Sequence, residues 1–197
     1  MFPIFLKLES RHCLVVGAGT VAAGKIGGLL AERASVKVVA PEAVDQVRAW
    51  ASAGALQFEQ RPFESTDLDD IFLVIVATSV PEVNKQVFEE AQARNILCNA
   101  VDDPPNCDFY YGAVVNRGDL QIAISTNGHS PSLAQRIRQQ LEEQFGPEYG
   151  SWVAELGKQR KELFASDIDP ELRKQILHEL ASRAPFEVHD AAESESN

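Results

Sequence analysis

The sequence predicts an α/β chain: an N-terminal doubly wound parallel sheet of the Rossmann type, then a small α+β segment, then a helical C-terminal region. Three observations predict it. In Cys13-Leu14-Val15-Val16-Gly17-Ala18-Gly19-Thr20-Val21-Ala22, four apolar residues run straight into Gly-x-Gly-x-x-Ala and a helical pattern. Strand-like and helix-like segments then alternate as far as residue 100, the succession that builds a parallel sheet. After Val101 the pattern breaks. Asp102-Asp103-Pro104-Pro105-Asn106-Cys107-Asp108 is too rich in turn formers to be helix, and a hairpin and helices follow it.

Taken in order, residues 13–16 have the length and branching of a buried parallel strand, and 21–31 read as its helix. Residues 35–40 form a second strand closed by Pro41, and 42–53 a helix stopped by Gly54. Residues 56–60 are a short third strand. The strongest apolar run, 71–77, should be a central strand; Pro81 opens a helix over 81–93, and 95–100 is the last strand of the sheet. Residues 109–115 and 120–126 read as a hairpin around Asn116-Arg117-Gly118-Asp119. Within it Leu120, Ile122 and Ile124 alternate with Gln121, Ala123 and Ser125, the period of a half-buried strand. Ser130 is a good N-cap and Pro131 a good first residue for a helix reaching about residue 145. Helices over 148–165 and 170–183 follow, the second capped by Asp169, and the acidic, Ser-rich end 190–197 is expected to be disordered. The expected division is 1–113, 114–147, 148–186 and a tail 187–197.

Composition narrows the function. The chain has 197 residues, 45% hydrophobic, enough for a packed core. No apolar run approaches the ~20 residues of a membrane span, and Met-Phe-Pro-Ile-Phe-Leu-Lys lacks a signal peptide's basic region and cleavage site. A cytoplasmic protein without a membrane partner is expected. The net charge of −11 argues against nucleic acid and anionic lipid surfaces. Cys13, Cys98 and Cys107 are odd in number and show no Cys-x-x-Cys spacing, so reduced thiols are expected rather than disulfides or a metal site. Cys13 and Cys98 fall in strands and read as core. Asp67, Asp69 and Asp70 read as a solvated charge run.

The glycine segment points to a dinucleotide. Gly17 would make the tight turn, Gly19 would let the backbone approach a pyrophosphate, and Ala22 would keep the helix close to the sheet. The first helical residues, Thr20 and Val21, would then turn free N–H groups toward the phosphates. The plain alternative is a glycine-rich turn with no ligand. Ligands in such sheets collect at the carboxyl ends of the strands, which brings Gly17, Ala40, Thr78 and 99–102 around one crevice. An acid about 20 residues past the glycines commonly bonds the adenosine ribose; here Glu42 is the only one near. No Arg adjoins the second strand's end, which favours NAD over NADP.

Together these segments resemble the precorrin-2 dehydrogenases, including the N-terminal half of the bifunctional siroheme synthases. The resemblance runs from Phe2 to about residue 145. It rests on Phe2-Pro3-Ile4-Phe5-Leu6, on Leu14 to Ala22 with Lys25, and on Val74-Ile75-Val76-Ala77-Thr78 with Val83-Asn84. Cys98-Asn99-Ala100-Val101-Asp102 and Ile124-Ser125-Thr126-Asn127-Gly128-His129-Ser130-Pro131 complete it. It implies NAD-dependent oxidation of the tetrapyrrole precorrin-2 to sirohydrochlorin by a homodimer whose second domain serves dimerisation. Some relatives also insert ferrous iron, here a candidate second substrate. With no room for the methyltransferase half, a stand-alone enzyme is expected.

Asp102 aligns with the family's catalytic carboxylate and closes a strand at the crevice, where a base suits proton removal from the macrocycle. Its alternative role is a turn carboxylate ahead of Pro104. Thr78 and Asn99 are expected at the cofactor, although Thr78 could merely cap the next helix and Asn99 could instead serve a turn. Thr126, Asn127, Gly128, His129 and Ser130 precede a helix N-terminus, an anion-favouring place suited to the substrate's carboxylates. An acidic protein needs local cations for such a substrate, and Lys25, Arg117, Arg136 and Arg138 are the candidates, with Arg117 a substrate contact. A competing reading is a redox-sensing regulatory module that binds NAD without catalysis; a third is a generic small-molecule dehydrogenase. The mixed charges of Lys158, Arg160 and Lys161 with Glu155 and Glu162 offer the sensor no basic output helix.

Overall fold

The computed structural model describes residues 1–182. The expected tail 187–197 and the last position of the helix 170–183 lie outside the described residues. The chain divides into two compact units, residues 1–110 and the portion from Tyr111 onward. No helix among the described residues is long and apolar enough to cross a membrane.

The first unit is a five-stranded parallel sheet in the order β3-β2-β1-β4-β5. Its strands are β1 (His12–Val16), β2 (Ser35–Val39), β3 (Gln57–Glu59), β4 (Leu73–Val76) and β5 (Leu97–Ala100). β1 lies at the centre, with Val16 in register with Val39 on one side and Val76 on the other. Residues 13–16 and 73–76 are buried on both faces, so a run without alternation is what this position demands. Helix α1 (Thr20–Ala31) lays Ala22, Ala23, Ile26 and Leu29 on a core shared with Val15, Val38 and Ile75. The opposite core holds Leu14, Val39, Val74 and Val76 against Val87 and Ala91 of α3 (Pro81–Ala93). The strand order reverses beside β1, between β1 and β4, and this switch point opens a crevice at the strands' carboxyl ends.

Helix α2 (Asp45–Ser52) begins three residues later than its sequence suggests. The Val44 N–H donates to the Ala18 carbonyl at 2.9 Å, which ties the segment ahead of the helix to the glycine turn and leaves Glu42 in a loop that bends at residues 41 and 42. β5 also starts late, because Asn95 turns with φ +56°. The solvated reading of Asp67 is corrected. Asp69 and Asp70 are exposed, but Asp67, in the short 3-10 turn Ser65–Leu68, is 2% exposed and forms ion pairs with Lys37 and Arg61. Sequence neighbours could not reveal this, since both cations come from β2 and the end of β3.

In the second unit, β6 (Ala113–Arg117) and β7 (Leu120–Ile124) form an antiparallel hairpin that pairs Ala113 with Ile124 and Arg117 with Leu120. The first hairpin strand starts at residue 113 rather than 109; the Phe109 carbonyl accepts from the Asn99 amide and stays with the first unit. The predicted turn is shorter too, since Asn116 and Arg117 remain in the ladder. Helices α4 (Pro131–Gln144), α5 (Glu148–Ala165) and α6 (Pro170–Ser182) complete the unit. Ser130 caps α4 by accepting from the Leu133 N–H at 3.3 Å. Asp169 Oδ1 accepts from the Glu171 and Leu172 N–H groups and so caps α6.

Candidate functional site

A crevice of about 640 Å³ opens at the switch point. Gly17, Gly19, Thr20, Val21, Ala22, Ala40, Glu42, Thr78 and Asp102 all line it. The turn from β1 into α1 explains its floor. Gly17 has φ +106°, and a Cβ there would lie 2.4 Å from the Ala77 carbonyl oxygen, so only glycine lets β1 and β4 stay paired through the turn. Gly19 differs. It is the N-cap of α1 with φ −79°, and a Cβ on it would meet nothing within 4 Å. The protein's own packing leaves that space open, in front of the unpaired N–H groups of the first turn of α1. Such a cradle fits a pyrophosphate, which needs close backbone approach and accepts N–H groups at a helix N-terminus. Gly17 to Ala22 are the residues that would hold NAD there.

On the β2 side the wall is Val39, Ala40, Pro41 and Glu42, completed by Pro62 and Phe63. The last two were missed in the sequence. The rule that ligands gather at strand ends applies equally to the end of β3, but that strand is only three residues long and its end carries no motif. On the β4 side, the Thr78 hydroxyl donates to Asn84 Oδ1 at 2.6 Å and accepts from the Val80 N–H at 3.1 Å. Asn84 Nδ2 returns to the Thr78 carbonyl at 3.3 Å. Thr78 thus shapes the loop ahead of α3 while lining the crevice; the N-cap itself is Val80.

Asp102 sits just past β5, where Val101 continues the ladder by donating to the Val76 carbonyl at 2.8 Å. Its backbone is left-handed at φ +61°, a conformation Asp tolerates better than most residues, and it lines the crevice. The Lys25 ammonium, one turn into α1, is pulled below its usual pKa by burial, and the negative charge of Asp102 acts against that shift. The two side chains are thus electrostatic neighbours, although they are far apart in sequence. The Asp103 carboxylate turns into its own loop and accepts from Asn106 Nδ2 at 2.7 Å.

Asn99 does not line the crevice. It is buried, and its Nδ2 donates to the Phe109 carbonyl at 2.7 Å and to Cys107 Sγ at 3.4 Å, so its amide anchors the loop after β5. Asp108 reinforces that loop by accepting from the Cys98 N–H at 2.9 Å. Burial pushes the Cys13 thiol up to about 11 and the Cys98 thiol up to about 12; Cys107 is raised as well, again by burial first. All three are neutral thiols near neutral pH.

In the second unit, Thr126 Oγ1 accepts from the Ser130 N–H at 3.1 Å, and Asn127 and Gly128 turn with φ +56° and +79°. The exposed His129 follows, before the capped start of α4. Arg117 is not the open cation its sequence position suggested. Its Nε donates to the Phe145 carbonyl at 2.9 Å, Nη2 to Glu142 and Nη1 to Asn116, so it clamps the carboxyl end of α4 to the hairpin. Arg138 pairs with Glu142 on the same helix.

A family model described as putative NAD(P)-binding matches residues 4–113, and one described as sirohaem biosynthesis protein, central, matches residues 117–144. The chain is 38% identical over 181 residues to a siroheme synthase of Acinetobacter baylyi, covering 91% of this chain and 40% of that protein. It is 42% identical over 159 residues to a siroheme synthase of Photorhabdus laumondii, covering 81% of this chain and 34% of that one. The chain thus spans well under half the length of these relatives. Among solved structures it is similar to SirC, precorrin-2 dehydrogenase, with a TM-score of 0.79, 30% identity and coverage of 91% of this chain and 89% of that one. By these matches the chain belongs to the precorrin-2 dehydrogenase family, a region it shares with the siroheme synthases.

Proposed function

We propose that the protein is an NAD-dependent precorrin-2 dehydrogenase that produces sirohydrochlorin for siroheme synthesis. The observation that carries this reading is the juxtaposition in one crevice of the open Gly19 cradle with the Asp102 carboxylate. Bound NAD supplies a hydride acceptor. Around it the chain's own groups divide the work. The Gly17 turn and the first N–H groups of α1 hold the pyrophosphate. The mostly apolar walls, Val39 and Phe63 on one side and Val80, Val83 and Val101 on the other, exclude water. Asp102 would accept the proton that leaves the macrocycle. The balance is precorrin-2 and NAD⁺ giving sirohydrochlorin, NADH and a proton. In ferrous-iron insertion, the second activity proposed, the same carboxylate would take up pyrrole protons.

Thr126, Asn127, Gly128, His129 and Ser130 are the proposed contacts for the substrate's carboxylates, supported by the turn they form ahead of α4. Arg117 is left out of this set because backbone carbonyls already engage it. The proposed assembly is a cytoplasmic homodimer built through the second unit. A two-stranded hairpin is marginal alone, and Val114 and Leu133 there are 44% and 46% exposed.

An anaerobic absorbance time course with precorrin-2 and NAD, followed by ferrous iron, tests the reading. NAD-dependent formation of sirohydrochlorin is expected, with metal insertion faster than in an enzyme-free control if the second activity holds. Protein that binds NAD but leaves precorrin-2 unchanged would turn the assignment to a regulatory module.

A further inference from the structure

The crevice wall on the β2 side is where the adenosine half of a dinucleotide lies in this fold, and where dinucleotides with and without a 2′-phosphate are told apart. An acid there accepts the ribose 2′-hydroxyl, whereas a nearby Arg accommodates a 2′-phosphate. Both residue types are present. Glu42 lines the wall. Pro62 and Phe63 complete that wall, and Arg61, which does not itself line the crevice, directly precedes them in the chain.

The Arg61 guanidinium is nevertheless engaged elsewhere through both terminal nitrogens. Nη1 donates to Asp67 Oδ2 at 2.8 Å and Nη2 to Asp67 Oδ1 at 2.6 Å, a two-pronged fork. Nη2 also meets Glu59, and Nη1 the Pro62 carbonyl at 2.9 Å. Asp67 is itself held in place from the far side, accepting from Lys37 Nζ at 2.9 Å and from the Glu64 N–H at 2.9 Å. Burial alone would raise the Asp67 pKa, but the bonds from Arg61 and Lys37 outweigh it and keep the carboxyl well below the usual range. The fork stays charged at any pH where the protein works.

We propose that the Arg61–Asp67 fork, backed by Glu59, sets the protein's choice between dinucleotides. It turns the cation that adjoins Pro62 and Phe63 away from the adenosine wall, so that Glu42 decides and a 2′-phosphate meets a carboxylate with no counter-charge. Arg61 is a latent 2′-phosphate ligand that Asp67 keeps latched. The inference rests on the NAD reading above and adds the residues that make it selective.

Equilibrium titrations of the purified full chain with NAD and with NADP test it, each variant being checked by circular dichroism and thermal melting. The wild type should bind NAD about 100-fold tighter than NADP, as like-charge opposition is a strong discriminator. Measured against Glu42→Gln alone, Glu42→Gln with Asp67→Asn should raise NADP affinity by about a further tenfold, and adding Arg61→Met should return it to the level of Glu42→Gln. Arg61→Met alone should leave the NAD-to-NADP ratio within about threefold of wild type, because the latched side chain touches neither dinucleotide. Should Asp67→Asn fail to fold, Glu59→Gln in the Glu42→Gln background frees part of the guanidinium and should give a gain of about threefold or more over Glu42→Gln alone. A gain over Glu42→Gln alone that survives Arg61→Met, or no gain over Glu42→Gln from either Asp67→Asn or Glu59→Gln, overturns the latch. Equal wild-type affinity for both dinucleotides overturns the latch alone, while wild-type protein that binds neither overturns the NAD reading with it.

Discussion

The two glycines of the β1–α1 turn separate fold from ligand, and alanine at each should give opposite results. At Gly17 the backbone is already at φ +106°, where an L side chain costs about 1–2 kcal/mol. The new Cβ would also fall 2.4 Å from the Ala77 carbonyl oxygen and 2.8 Å from its carbon, both backbone atoms that move only if β4 moves. Such overpacking adds about 1–3 kcal/mol, so Gly17→Ala should lose about 2–5 kcal/mol even without ligand. At this chain length that lowers the melting temperature by about 4–20 °C. At Gly19 a Cβ meets nothing within 4 Å, and φ is ordinary. The cost is that of Ala instead of Gly at an N-cap, about 1 kcal/mol or less, while the methyl group stands where the pyrophosphate must approach. Gly19→Ala should therefore melt close to wild type and bind NAD about tenfold or more weakly. Thermal melts without ligand and NAD titrations decide it. A Gly17→Ala protein as stable as wild type, or a Gly19→Ala protein with unchanged NAD affinity, would refute the assignment of one glycine to strand closure and the other to the ligand.

Asp102→Ala should leave NAD binding nearly unchanged and cut turnover by ~10²–10⁴, the range for a positioned base; wild-type turnover in the anaerobic assay would sink that role. Asn99→Ala should act on stability rather than on the cofactor, losing about 1–3 kcal/mol because the Phe109 carbonyl loses its donor. Urea unfolding together with an NAD titration separates the two effects. The Asp67 carboxyl is depressed in the folded state, so its pairs stabilise the protein fully above the ordinary Asp pKa of about 4. That contribution should drain away as pH falls below about 4. Asp67→Ala should cost about 2–3 kcal/mol at pH 7, less than for a fully buried pair because Lys37 and Arg61 remain 25% and 29% exposed. The deficit should shrink at pH 3 when urea midpoints are compared, and a deficit independent of pH would count against the pairing.

Local chemistry was enough to lay out most of this molecule. The apolar run 71–77 has the length and branching of a buried strand, Pro81 and Pro131 suit a first helical turn, and Gly17 with Gly19 between a strand and a helix form the pattern of a phosphate turn. The strand-end rule then brought Gly17, Ala40, Thr78 and Asp102 to one crevice without any coordinates. What only the tertiary structure decided are the matters that depend on residues distant in sequence. Asp67 looked like one of three solvated acids until β2 and β3 brought Lys37 and Arg61 to it. Asn99 was placed at the right end of the right strand, but which way its amide turned depended on the returning loop and the Phe109 carbonyl. Arg117 read as a free cation because the carbonyls that engage it lie 25 and 28 residues away at the end of α4. Periodicity and capping are properties of neighbours along the chain, so they can be read there. The partner of a charged or amide group is chosen by the fold, which brings together groups that the chain keeps apart.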